Sequence, residues 1–135
     1  MMVGVDTSVL LRLFLKDDAG QLAQVRDMVA RVEAGGDTLY VPQAVLCELA
    51  WVLALKAGFK REAVAEAVRG LVETAVIELE GQDTVCAALE RHVTSGTGFS
   101  NCLIVENALA AGADCFVTFD RALLRADDCL APAEV

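Results

Sequence analysis

The sequence predicts an α/β fold, a compact three-layer α/β/α sandwich built on a small parallel sheet. Short apolar runs of strand length alternate with longer segments whose apolar residues recur three and four apart. Glycines and helix-capping residues fall at the junctions between them. The chain has 135 residues, 56% of them hydrophobic, and a mean hydropathy of +0.49. That is enough to bury a real core in one domain over residues 1–135. Strands alternating with helices imply parallel pairing, with crossovers covering the sheet faces.

Each element has its own signal. Residues 2–5 form a short apolar run and read as a strand, followed by a helix from about Ser8 to Leu15. A second helix covers Ala19 to Ala34, with Leu22, Val25, Val29 and Val32 on one face, and Gly35 and Gly36 end it. Thr38 to Val41 read as a strand, and Pro42 opens a helix in VPQAVLCELAWVLAL that Gly58 closes. Arg61 to Thr74 form a helix with Val64, Val68 and Leu71 as its stripe, and Ala75 to Leu79 suit a strand. Asp83 is placed to cap a helix carrying Val85, Leu89 and Val93. Residues 94–98, TSGTG, are a loop, after which Ser100 caps a helix to about Ala111 that Gly112 ends. Residues 114–119 read as a buried strand, Arg121 to Arg125 as a turn, and the acidic tail as a possible edge strand. Trp51 and Phe119 are expected in the core, His92 on a partly exposed helix face, and Asn107 in a packing hydrogen bond.

Composition narrows the function. No window approaches the ~20 uninterrupted apolar residues of a membrane span. The amino-terminal segment lacks the basic leader and cleavage site of a secretory signal, so a cytoplasmic location is expected. Five cysteines form no C-x-x-C pair, and the lone His92 completes no zinc pattern. They read as small core residues in a reducing compartment. The net charge of −9 argues against a general nucleic-acid binder. It leaves two openings: acids that hold a divalent cation, or an acidic surface that attracts a basic partner.

Three carboxylates stand out. Glu48 has Ala44, Val45, Trp51 and Val52 one helical turn away, all apolar, and is expected to point inward. A buried carboxylate is costly unless something pairs with it. Asp6 follows the first strand and Asp120 follows the strand near the other terminus. In parallel α/β sheets, ligands bind beyond the carboxyl ends of the strands. Asn101, in the first turn of the late helix, is placed to face the same edge. Each has a plainer reading: Asp6 as a helix cap, Asp120 as a turn residue, Glu48 in a buried ion pair, and Asn101 as an ordinary first-turn residue. Lys56, Lys60, Arg61, Arg121 and Arg125 are scattered charges that could meet phosphates or simply face water.

Taken together, V-D-T-S-V-L, V-P-x-x-V-L-x-E-L-x-W-V-L, F-S-N-C-L-I and T-F-D-R-A-L, in this order, resemble the PIN-domain ribonucleases from Val3 to about Leu124. The likeness is to the toxin half of VapBC-type toxin–antitoxin pairs. It implies a Mg²⁺- or Mn²⁺-dependent endoribonuclease that cuts single-stranded regions, often in tRNA or rRNA. It further implies a homodimer, neutralised by an antitoxin whose basic tail reaches the acidic site. Asp6, Glu48 and Asp120 match family acids, with Ser8 and Thr118 orienting them. Asn101 stands where the family has an Asp, and Gly98 where a further Asp often sits. An amide oxygen can coordinate a hard cation but brings no charge, so metal affinity and water activation should fall. The alternative is a non-enzymatic module of the same fold that binds antitoxin or RNA without cutting. Receiver-type and haloacid-dehalogenase readings fail, because this chain lacks the second acid each needs beside the first strand.

Overall fold

A computed structural model describes all residues, 1–135. The chain divides into two compact units, Met1–Gln82 and Asp83–Val135.

The first unit is built on a parallel three-stranded sheet in the order β1 (Met2–Gly4), β2 (Thr38–Val41), β3 (Ile77–Leu79). Val3 pairs with Leu39, and Leu39 with Ile77. Helices α1 (Thr7–Phe14) and α2 (Ala19–Ala34) connect β1 to β2, and α3 (Gln43–Leu55) and α4 (Arg61–Glu73) connect β2 to β3. Both crossovers advance in the same direction, so right-handed connections place them on one sheet face. Consistent with this, α1 packs against both α2 and α3. Helix α2 ends as its glycines require: Gly36 has φ +72, its N–H donates to the Glu33 carbonyl, and Asp37 N–H donates to that of Val32. The aliphatic faces of α1, α2, α4 and the sheet line an open hollow of about 500 Å³.

The second unit contains α5 (Gln82–Ser95), whose first residue ends the first unit, then α6 (Phe99–Ala110), and strands β4 (Phe116–Val117) and β5 (Cys129–Leu130), paired in parallel. A 3₁₀ turn, Leu123–Arg125, lies between the strands, and another, Pro132–Glu134, closes the chain. Val105, Leu123 and Cys129 form a buried cluster with Leu109, Phe116 and Ala126 against it. Gly112, with φ +107, ends α6.

The α/β class and the order of elements follow the sequence, and the differences have local causes. The strand expected over 114–119 shrinks to two residues because its partner offers only two. Phe119, beyond that pairing, is 84% exposed, not core. Trp51 is also largely outside, at 47%. Helix α3 is apolar all round, and it buries Leu46, Leu49, Ala50 and Leu53 instead. Helix α5 turns His92 inward, 2% exposed, and Val93 outward. The His92 ring places Nδ1 2.6 Å from the Thr97 carbonyl and meets Phe99 edge-on. Asp83 lies within the first turn of α5 and Ser100 within that of α6, where Gly98 takes the cap position. Asn107 is exposed. All five cysteines are free, and no helix is long and apolar enough to cross a membrane.

Candidate functional site

Asp6 stands two residues beyond β1, in extended backbone, as the N-cap of α1. Its Oδ1 accepts the Thr7 N–H at 2.7 Å and its Oδ2 accepts the Ser8 hydroxyl at 3.3 Å. Its carbonyl also accepts the first helical bonds, from Val9 and Leu10. These contacts fix the carboxylate rotamer while the residue stays exposed to solvent. Capping and presentation at the strand end are therefore compatible roles for one side chain.

Glu48 departs from expectation. It is exposed on α3, not buried. Its apolar neighbours at i−4 and i+3, Ala44 and Trp51, are exposed with it. A helix apolar on every side gives each of its polar residues apolar neighbours, so that pattern does not identify the inward face. Glu48 needs no buried partner, and the desolvation cost inferred from its neighbours does not arise.

In the second unit, Asp120 follows β4 by three residues. Its Oδ1 accepts the N–H groups of Ala122 and Leu123 at 2.9 and 3.0 Å, and so caps the 3₁₀ turn. Its own N–H donates to the Thr118 hydroxyl at 2.9 Å. Thr118 N–H is in turn held by the Leu130 carbonyl of β5. Thr118 thus locks the backbone that presents Asp120, and both backbone donors use the same oxygen, Oδ1. Asn101 is exposed in the first turn of α6.

The donors offered by Asp6, Glu48, Asn101 and Asp120 are all oxygens, the chemistry that Mg²⁺ and Mn²⁺ prefer. Asp6 and Glu48 belong to the first unit, and Asn101 and Asp120 to the second. No group of three or more His, Cys, Asp or Glu side chains is gathered where it could hold a metal ion. The residues fit a hard cation by donor type.

One polar cluster escaped the sequence altogether. Arg91 of α5 donates through Nε to Glu106 of α6 at 2.9 Å, and through Nη1 and Nη2 to both Asp128 carboxylate oxygens at 3.0 and 2.6 Å. This bidentate pairing holds the Asp128 carboxyl below its ordinary range and raises the Arg91 guanidinium still further above its own. The partners lie 15 and 37 residues from Arg91, so no local spacing announces them. Burial pushes the nearby Cys102 thiol up to about 11, making it a poor nucleophile.

Among curated proteins, none matches the chain. The family model for the PIN domain matches residues 3–128, a span that takes in all four candidate positions.

Proposed function

Because the chain belongs to the PIN-domain family, whose members are generally metal-dependent nucleases, we propose that it is a Mg²⁺- or Mn²⁺-dependent endoribonuclease cutting single-stranded RNA. We further propose that it serves as the toxin of a toxin–antitoxin pair, acting as a homodimer held in check by an antitoxin with a basic tail. The observation that carries the reading is the family match, together with the two Asp residues presented just beyond strand ends.

In this reading Asp6, Glu48, Asn101 and Asp120 hold the cation. When bound, a divalent ion lowers the pKa of the attacking water and offsets charge on the in-line phosphoryl transition state. The chain's contribution is preorganisation. Thr7 N–H and the Ser8 hydroxyl orient Asp6, while Thr118 and the turn amides orient Asp120. Asn101 supplies an oxygen without charge, which weakens the site relative to an Asp there.

That substitution favours a second reading, an interaction module that binds antitoxin or RNA without cutting it. Asn101→Asp separates the two. The nuclease reading expects Mn²⁺ binding by calorimetry to tighten and Mn²⁺-dependent cleavage of a single-stranded RNA to rise. Equal cleavage by both proteins removes the charge argument. Absence of cleavage in both, with RNA still bound, supports the module.

A further inference from the structure

A second cavity, about 190 Å³, lies within Asp83–Val135 and is lined by Arg91, Ser95, Thr97, Ala122, Leu123 and Arg125, among others. Its hydrogen-bonding capacity is unbalanced. Thr97 is 3% exposed, and its Oγ1 is buried without a hydrogen-bond partner. Such a hydroxyl costs roughly 1–3 kcal/mol and calls for a ligand or an ordered water. Ser95 has no hydrogen to spare: its Oγ donates to the Arg91 carbonyl at 2.6 Å and accepts the Thr97 N–H at 3.2 Å. Arg91 uses three of its five N–H donors on Glu106 and Asp128, leaving one on each terminal nitrogen. Those bonds also hold the guanidinium plane in place. Arg125 is exposed and enters none of the chain's ion pairs. Neither Glu106 nor Asp128 lines the cavity.

Two guanidinium groups and an unused hydroxyl, with no carboxylate in the lining, form a donor set suited to a tetrahedral oxyanion. The volume exceeds the roughly 30 Å³ share of one water molecule. We propose that this cavity takes a phosphate group of single-stranded RNA, Arg91 and Arg125 pairing with two of its oxygens and Thr97 Oγ1 donating to another. The choice of an RNA phosphate rests on the nuclease reading above and on position. Ala122 and Leu123, which line the cavity, are the residues whose amides Asp120 caps. The cavity and Asp120 therefore share one hydrogen-bonded turn. In a chain of net charge −9, a local cluster of donors gives the strand an attachment that the overall field opposes.

The test titrates the full chain with inorganic phosphate, following backbone amides by NMR against acetate and chloride at matched ionic strength. Saturable shifts confined to Ser95–Thr97 and Ala122–Ala126 are expected with phosphate alone. In Arg125→Gln, and separately in Thr97→Val, phosphate affinity should fall at least about tenfold, as loss of a charge-assisted or buried hydrogen bond predicts. Arg125 is exposed, so its variant keeps the fold. Next, binding of a short labelled oligouridylate is measured by anisotropy in EDTA. Arg125→Gln should weaken it and lower the log–log salt slope by about 0.7, one phosphate contact. No saturable response to phosphate, or an equal response to acetate, overturns the proposal. So does phosphate binding that Arg125→Gln abolishes while RNA binding is unchanged, since the site then serves free phosphate. If the wild type binds no RNA in EDTA, the RNA assignment of the cavity falls, whereas the nuclease reading, which needs a divalent ion, is decided separately by Mn²⁺-dependent cleavage. The phosphate titration then still decides whether the cavity is an anion site.

Discussion

In Met1–Gln82, the side chains removed from water are aliphatic almost throughout: Val41, Leu46, Leu49, Leu53 and Val68. Each ion pair there, such as Arg12–Asp17 or the Met1 amino group with Asp37, has a well-exposed member. Asp83–Val135 has a smaller cluster and adds the Arg91 pairings, in which Arg91 and Glu106 are only 14% and 19% exposed. The contrast teaches that one unit is specified by volume and the other partly by charge. The first should therefore respond to lost methylenes and the second to pH and salt.

The sharpest way to test that contrast is Leu53→Ala, which removes a fully buried side chain of α3. It should cost about 2–5 kcal/mol, read by urea denaturation, with little dependence on salt. A loss that varied strongly with ionic strength would break the comparison. Arg91→Met should cost about 2 kcal/mol, less than a fully buried pair because Asp128 is 37% exposed. Its sign with pH is fixed. The folded Asp128 pKa lies below its ordinary value of 3.8, so the stabilisation is present above that value and is lost as pH falls through the folded pKa. Arg91→Met should flatten this part of the acid limb in a urea series, and an unchanged limb would remove the assigned role.

Thiol chemistry probes how closed the second unit is. Cys86 is exposed, whereas Cys102 is buried with its thiol pushed up to about 11. A maleimide at neutral pH should modify Cys86 more than about a hundredfold faster than Cys102, which waits for unfolding. Mass spectrometry of timed digests measures this, and comparable rates would mean an open core. The smallest expected effect is Trp51→Ala, less than about 1 kcal/mol, despite the loss of a large ring with Lys56 5.4 Å from its centroid. A larger cost would mean that α3 uses that face in folding.

What could be read from the sequence depended on how one-sided each segment is. Helix α4 interleaves Val64, Val68 and Leu71 with charged residues, and those three, with Ala65 and Ala67, are its buried face. Helix α3 has no such contrast, so its sequence does not mark the inward face, and Glu48 and Trp51 face outward. Strand ends were legible at Thr38–Val41, the central strand paired on both sides, and not at 114–119, where the pairing covers only two residues. Asp6 and Asp120 could be placed because a strand precedes each of them, with a helix following Asp6 and a 3₁₀ turn following Asp120. Thr118 was expected to orient the Asp120 carboxylate, and it meets the Asp120 backbone N–H instead. Arg91, Glu106 and Asp128 were invisible because only tertiary structure brings them together. His92 carries a cue to its burial in the sequence: it follows Ala88 by four residues and Leu89 by three, on the stripe those residues bury.

The chain has a single tryptophan, and it is Trp51, half in water and one turn along α3 from Glu48. Its emission is therefore an unlabelled optical reporter for that one face of the molecule. Anything that docks on or beside Glu48 should dry the indole and shift its spectrum to the blue, whereas events confined to Asp83–Val135 should leave it dark to the change.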